Sequence, residues 1–525
     1  MKSFRTLYGI FFLSGATGLV YEVIWVRLTG LVFGNTSHAI AVVLGAFMAG
    51  LALGSWQLGR YADRVPRALK LYGMLEIGIG ISAALVPFVF RALHGVYWAV
   101  TPSIQSIPGG SVALRFLTSF AILLVPTFLM GGTLPVLAKF FTQTVQEVQR
   151  KVGLLYALNT FGAAFGTLVA ALYFIPRFGN IRTTLFIAVL NVVIGVFAII
   201  LDSRWALIAS TSAEASSGQD QPDAGQIVEA DPATGGLVLM TLAGSGFVSM
   251  LYEVSWTRAL TAMIGSSTYA FSIMLVTFLI GIAVGSSIAS RLRTIASLRL
   301  LGLTQLGIAL GGLIFLVGYT VAPLVVVGAL RALFYSFPAM LATQFIVCAF
   351  LMIVATICMG ATIPIASQVY SSRIKLLGGS IGSIYSVNTM GAIAGSLIAG
   401  FVLVPWIGTE RTILGGLFFN AAMAALILSA PSAVRARDLA KWGAIALLLL
   451  STVAMKGQVF WKKESLDQGI IVYAKMLDSR PEFTIDEHYI DTDVVYFKEG
   501  NNATISARQG EDYVGLRTNG KVDAS

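Results

Sequence analysis

Charge is what this sequence has least of. Only 11% of its 525 residues are Asp, Glu, Lys or Arg, against about 25% in an ordinary soluble chain. A chain so poor in solubilising side chains, with 56% hydrophobic residues, cannot be a string of soluble domains. Cysteine is limited to Cys348 and Cys358, both in apolar stretches. That excludes a disulfide framework and leaves the two as packing residues. The three histidines, His38, His94 and His488, are scattered, so no metal site follows from their spacing. No basic run is interleaved with aromatics, which excludes a nucleic-acid groove. The 54 Gly show no triplet period and the 32 Phe require burial, which excludes collagen-like and disordered chains. What remains, at a mean hydropathy of +0.82, is an integral membrane protein, with the lipid bilayer as its first partner.

Apolar stretches of about 20 residues, the length that crosses a bilayer at 1.5 Å per residue, recur at 8–33, 38–59, 71–92, 112–138, 152–175 and 183–201. A polar insert at 205–235, rich in Ser, Asp, Gln and Gly, then breaks the pattern and reads as a flexible linker. A second set occupies 236–262, 269–290, 298–320, 341–368, 381–404 and 412–430. The expected organisation is therefore a first membrane unit over 1–204, a linker over 205–235 and a second unit over 236–432. Placing Lys2 and Arg5 in the cytoplasm puts the clusters around Arg60, Lys139, Arg291, Arg373 and Arg435 on the same side. The excess of basic residues in those loops predicts a cytoplasmic N-terminus and, in a bacterial-type cell, the cytoplasmic membrane.

The two sets are copies. Tyr21-Glu22-Val23-x-Trp25-x-Arg27 returns as Tyr252-Glu253-Val254-x-Trp256-x-Arg258, and Met130-Gly131-x-Thr133-x-Pro135 returns as Met359-Gly360-x-Thr362-x-Pro364. Gly153, Tyr156, Asn159-Thr160, Pro176, Gly179 and Arg182 return as Gly382, Tyr385, Asn388-Thr389, Pro405, Gly408 and Arg411. Over 127–182 against 356–411 there are 17 identities in 56 ungapped positions, and they include Pro, Asn, Tyr and Arg, which shared apolar composition would not supply. Six helices repeated in one orientation form parallel halves about an axis along the membrane normal. The arrangement resembles that of major-facilitator-type transporters, whose binding sites lie between the halves. The expected fold class is thus an all-α polytopic bundle of two parallel six-helix repeats, with a short C-terminal β-meander after them.

Three acidic residues fall inside the expected spans: Glu22, Glu76 and Glu253. A charge near the middle of a span costs at least ~2.5 kcal/mol on insertion scales, so it calls for a partner, a proton or a water-filled cavity. Glu22 and Arg27 stand about 140° apart around a helix, so a partner from the other half is easier. One expectation is that Glu22, Arg27, Glu253 and Arg258, with the adjoining Tyr21 and Tyr252, line a polar cavity near the axis. The other is that each Glu locks helix packing while each Arg snorkels to the headgroups. Asn159 and Asn388 sit among glycines at spacings of three and four, which predicts close helix packing. Pro135 and Pro364 are expected to kink or end their helices. Gly59-Arg60-Tyr61-Ala62-Asp63-Arg64-Val65-Pro66-Arg67 resembles the major-facilitator loop motif, in which an Asp and flanking Arg latch helix ends together. Asp63, Arg64 and Arg67 would carry it; Pro66 departs from the pattern, and the copy at Arg291-Leu292-Arg293-Thr294 lacks the Asp.

Beyond the second unit, Trp442–Met455 is apolar but short for a span, within a segment 433–461 that would be a thirteenth crossing or an interfacial helix. If it crosses, residues 462–525 lie away from the cytoplasm. Those residues contain β-prone runs at 494–500, 503–508 and 513–523, separated by turn residues. The segment Tyr496-Phe497-Lys498-Glu499-Gly500-x-Asn502-Ala503-Thr504, with Leu516-Arg517-x-Asn519-Gly520-Lys521-Val522-Asp523-Ala524-Ser525 after it, resembles the N-terminal β-domain of spermidine synthase-like aminopropyltransferases. The Tyr-Glu-Val-x-Trp helices and the duplicated bundle resemble the membrane half of fused major-facilitator/spermidine synthase proteins, so that the likeness covers nearly the whole chain.

That resemblance implies a polyamine aminopropyltransferase whose Rossmann-like domain holds decarboxylated S-adenosylmethionine and deprotonates an acceptor amine. No such Gly-rich unit precedes Ser525, so the chain as given is expected to need a separate catalytic domain, as a fragment, a truncated product or one half of a split enzyme. No cofactor is expected to bind these 525 residues. The bundle would bind, move or sense a polyamine or related small cation; a stand-alone transporter and a non-catalytic membrane scaffold are the alternatives.

Overall fold

In hydrocarbon every backbone N–H and C=O must be satisfied within the chain, so long apolar runs close into helices. The computed structural model describes residues 2–33, 37–104, 110–215, 232–265, 267–292, 297–332, 336–371, 376–430, 439–454, 460–461 and 493–524, without 501–502, 511–513 and 520. The first half comprises α1 (Lys2–Phe33), α2 (Ser37–Ala62), α3 (Ala68–Ile104), α4 (Gly110–Phe141), α5 (Val148–Val169) and α6 (Ile175–Ala215). The second comprises α7 (Pro232–Ile264), α8 (Thr268–Arg291), α9 (Leu298–Ala332), α10 (Phe337–Tyr370), α11 (Leu377–Ile398), α12 (Val404–Ile407) and α13 (Thr409–Leu428).

A π-helical turn, Ala170–Phe174, runs α5 into α6, and another, Ala399–Leu403, joins α11 to α12. Just beyond each π-turn the chain reverses at a glycine of positive φ, Gly179 at 71° and Gly408 at 86°. That backbone favours glycine, which explains why the repeat keeps both. The duplicated sequence therefore makes a duplicated bundle, a multi-pass membrane protein.

Three expectations need correction. Of the two outcomes expected at Pro135 and Pro364, kinking or ending the helix, the second does not occur: α4 runs on to Phe141 and α10 to Tyr370. The linker is shorter than expected, because α6 continues to Ala215 and α7 starts at Pro232; the rest of it lies outside the described residues, as do Arg373, Lys375, Arg435 and Arg437 of the basic loops. The expected third β-run is split in two, because Asn519, at φ 51°, turns the chain back on itself. The sheet is an antiparallel meander β1 (Asp493–Glu499), β2 (Thr504–Gln509), β3 (Val514–Thr518) and β4 (Lys521–Ala524).

Within each half, helices meet at glycine. A Cβ on Gly15, Gly162 or Gly166 would fall 2.0, 1.8 or 2.2 Å from backbone oxygen across the α1–α5 contact. The α7–α11 contact repeats this at Gly246, Gly391 and Gly395, with 2.0, 1.9 and 2.0 Å. Such backbone approach gains dispersion where no hydrophobic drive separates helix from lipid.

Between the halves, hydrogen bonds cluster at the end of the basic loops. Ser55 Oγ donates to Gly382 O at 3.3 Å and Ser286 Oγ to Gly153 O at 2.8 Å. Gln149 Nε2 donates to Ala289 O at 2.8 Å, and Gln368 Nε2 to Val145 O at 2.9 Å.

The sheet sits at the opposite end. After α13, a helix α14 (Leu439–Ala454) packs along α13 and α9 and carries the chain across the bundle. It delivers Phe460 N to the Glu410 carboxylate at 3.1 Å and Trp461 Nε1 to Leu316 O at 2.9 Å. Trp461 also packs on Tyr319, with ring centroids 4.4 Å apart. Thr504, Ser506 and Arg508 alternate inward along β2 and are buried, and Phe497 packs against the core of the second half.

Candidate functional site

An acidic side chain inside a membrane bundle calls for a partner, a proton or water. Glu22 on α1 and Glu253 on α7 are both half-buried, and Glu253 lies within electrostatic range of Glu22. The apolar stretch of α1 is Arg5–Thr29. Glu22 is five residues past its midpoint, ~7.5 Å towards the sheet end. Glu253 lies similarly past the midpoint of Thr234–Ile264, so the pair sits in the half nearer the sheet rather than at the centre.

Below them, towards the basic loops, Tyr156 of α5 and Tyr385 of α11 meet edge to face, with ring centroids 6.1 Å apart and planes at 80°. Both rings are half-buried, and Tyr385 lies within electrostatic range of Glu22. One turn further along each helix stand Asn159 and Asn388, also half-buried. Their backbone carbonyls make the glycine contacts with Gly15 and Gly246, so the packing expected of these positions is a backbone matter. The side chains share the tyrosines' helix faces at i, i+3. Each half thus contributes a Glu and a Tyr related by the repeat, with an Asn one turn beyond each Tyr.

Three other residues expected with them, Tyr21, Tyr252 and Arg258, are placed elsewhere. Tyr21 and Tyr252 are completely buried, each in the core of its own half, because a neighbouring residue points 100° away around the helix. Tyr21 donates its hydroxyl to Asn191 Oδ1 at 3.0 Å. Arg258 turns to the sheet and donates Nη2 to Gly500 O at 2.8 Å. Arg27, its repeat mate, is half-buried at the corresponding level of α1.

The third acid has a packing role. Glu76 is fully buried and accepts from Ser14 Oγ at 2.5 Å and Asn191 Nδ2 at 2.6 Å. In the repeat its place is taken by Gln305, likewise buried, which donates to Thr304 and Thr362 at 3.2 and 3.4 Å.

At the basic-loop end Asp63 bridges the halves. Its two carboxylate oxygens accept from the backbone N–H groups of Gly378 and Gly379, at 2.8 and 2.7 Å, at the start of α11, and Lys139 Nζ lies 3.7 Å away. Arg67 pairs with Asp202 of α6 at 2.6 Å, and Arg64 is exposed. At the sheet end Glu499 plays a similar part for α13. Its carboxylate accepts from Thr409 N at 3.2 and 3.1 Å and from the Thr409 hydroxyl. Burial pushes the Glu499 carboxyl above its ordinary range, against the opposing pull of the Thr409 bonds and Arg258. Among the described residues no cluster of three or more His, Cys, Asp or Glu could hold a metal ion.

The chain matches no protein-family profile. It is 22% identical over 188 residues to a polyamine aminopropyltransferase of Leptospira interrogans, covering 35% of this chain and 34% of that one. It is 25% identical over 195 residues to polyamine aminopropyltransferase 1 of Streptomyces coelicolor, covering 37% and 33%. The chain therefore spans about a third of the length of these curated relatives. An aligned stretch of 188 residues cannot fit within the 64 residues of 462–525, so membrane helices belong to the likeness. In fold the chain is similar to the human organic anion transporter MFSD10, with a TM-score of 0.52 at 11% identity, over 81% of this chain and 99% of that one. The chain thus shares the fold of that transporter and is weakly similar in sequence to polyamine aminopropyltransferases.

Proposed function

We propose that the bundle binds an organic polycation of the polyamine class in the hollow between its halves and moves it across the membrane by rocking one half against the other. The observation that carries this reading is that Glu22 and Glu253, one from each half, are half-buried and come within electrostatic range of each other. Two carboxylates brought together inside a bundle repel each other, and a ligand with two positive charges relieves that repulsion. The Tyr156–Tyr385 pair offers aromatic faces to the alkyl and ammonium parts of such a ligand.

The hydrogen bonds between the halves lie at the basic-loop end, which supports a hollow open towards the sheet. By the positive-inside rule the basic loops and the N-terminus are cytoplasmic, so the sheet faces the other side of the membrane. In a bacterial cell that membrane is the cytoplasmic one. The similarity to two polyamine aminopropyltransferases favours a companion reading. In it the chain is the membrane part of a spermidine synthase-like protein, and its sheet begins a catalytic unit that needs further residues for decarboxylated S-adenosylmethionine.

The test is uptake of labelled spermidine into proteoliposomes. Glu22→Gln and Glu253→Gln should each lower the rate at least tenfold while the protein still unfolds at its usual temperature. Uptake equal to that of protein-free vesicles in the unaltered chain would overturn the transport reading.

A further inference from the structure

The outward face of α2 carries a side-chain set that packing does not require. Leu53, Trp56, Gln57, Arg60 and Tyr61 recur at a spacing of three and four residues, Arg64 follows in the turn just past the helix, and all are exposed. The opposite face, including Ser55, Gly59 and Ala62, is buried against the bundle. With Phe128 of α4 these residues line an open groove of about 490 Å³ at the basic-loop end. The Arg60 guanidinium lies over the Trp56 ring, 4.3 Å from its centroid. Stacked in that way it keeps its N–H edge free for an anion. Among the described residues neither Arg60 nor Arg64 pairs with a carboxylate, and no acidic residue lines the groove.

The internal repeat gives a second, independent observation. At offset 231 the face becomes Ser287, Ile288, Arg291, Leu292 and Ile295. One arginine survives, and the Trp, Tyr and second Arg do not. If this face served only to meet acyl chains, either set would do, so the first half's set answers to something specific.

We propose that this groove binds the phosphodiester of an anionic membrane phospholipid between Arg60 and Arg64, with an acyl chain laid over Trp56 and Phe128. The depth fits. Trp56 is six residues, ~9 Å, from the end of α2 at Ala62, and Arg64 follows in the turn beyond it, so the set runs from headgroup to upper acyl region. Aromatic side chains settle at that level, and basic pockets there take lipid headgroups.

The experiment is binding of fluorescent phosphatidylglycerol to the purified full chain in neutral detergent. Inorganic phosphate and phosphatidylcholine serve as competitors. The unaltered chain should bind the label saturably, with unlabelled phosphatidylglycerol displacing it and neither competitor doing so. Arg60→Gln with Arg64→Gln should weaken binding about thirty-fold, the equivalent of roughly 1 kcal/mol per arginine at a membrane surface. Arg291→Gln, at the repeat position, should leave binding unchanged. Trp56→Ala, which keeps both charges, should weaken it several-fold and guards against misfolding of the double variant. Equal loss in Arg291→Gln would reduce the effect to general charge and overturn the site. Displacement by inorganic phosphate would make it a free-phosphate site and overturn it likewise.

Discussion

Asp63→Ala should release the basic-loop end of the bundle, and the size of the effect can be worked from the geometry. The carboxylate accepts two backbone N–H bonds, 2.8 and 2.7 Å long, at the start of α11. Its side chain is only 8% exposed. Hydrogen bonds to a charged group contribute about 1.5–3 kcal/mol each, and the positive end of the helix dipole adds some tenths. Set against this, the start of α11 regains water once the halves part, so the two N–H groups are not left unsatisfied. The net bias towards the closed arrangement is about 2–3 kcal/mol, a thirty- to hundred-and-fifty-fold shift in population at tenfold per 1.4 kcal/mol. Ser55, fully buried where α2 crosses α11, makes a reporter. With Cys348 and Cys358 replaced by Ala, Ser55→Cys should react with a maleimide slowly in the Asp63 background and at least thirty times faster with Asp63→Ala. Asp63→Asn should fall between, since its one remaining acceptor oxygen serves a single N–H. An unchanged labelling rate would refute the reasoning. So would an equal acceleration at a cysteine placed at the sheet end, which would signal general loosening rather than release of a latch.

The buried acids give two further outcomes. Because burial holds the Glu499 carboxyl above the ordinary value of about 4.3, the docked sheet takes up a proton more readily than the undocked one. Docking is therefore strongest at low pH and weakens as pH rises through the raised value. Hydrogen exchange at the Thr409 amide should quicken over that rise beyond its intrinsic pH dependence, and Glu499→Gln should flatten the excess. For Glu76, replacement by Ala strands the Ser14 hydroxyl and the Asn191 amide in a dry core and should cost about 3–5 kcal/mol, whereas Glu76→Gln should cost about 1–2 kcal/mol. Thermal unfolding in detergent compares the two, and equal losses would contradict the hydrogen-bonding account.

The helices were legible because crossing a bilayer sets a minimum apolar length, and the observed ends fall within a few residues of the expected ones except where α3, α6 and α9 run past their apolar stretches. The repeat made Gly179 and Gly408 stand out before their backbone was known. Contacts between halves are harder to read, since nothing local says that residue 63 meets residue 378. Asp63 was found only through the likeness of its loop. Glu76 was visible as an acid in a span, but its partners Ser14 and Asn191 come from two other helices, 62 and 115 residues away in sequence, and no spacing encodes them. Arg258 looked equivalent to Arg27 in sequence. It differs because a sheet from the far end of the chain docks over one half, an event the helical repeat cannot register. The fourth strand did carry a signal, the Asn519-Gly520 pair, which is a strong hairpin-turn dipeptide. Tyr156 and Tyr385 were flagged by repetition alone, and only their mutual contact sets them apart from packing residues.

The two halves act as an internal comparison that separates scaffold from specialisation. Tyr21 and Tyr252 recur because each half needs the same buried ring in its own core. Glu22 and Glu253 recur for a different reason, since the two come within electrostatic range across the halves. Their separation depends on how the halves sit, whereas the surroundings of each one alone depend far less on it. A monocation resting on one carboxylate would gain similar energy in every arrangement and so could not drive a change between them. A ligand with two charges a fixed distance apart gains most in the arrangement whose carboxylate spacing matches its own, and a ligand shifts an equilibrium only by such differential affinity. On the proposed reading, that is why a symmetric pair of acids on two moving bodies favours a polyamine over a simple ammonium ion. The charge spacing of the ligand, more than its total charge, would decide which compounds are carried.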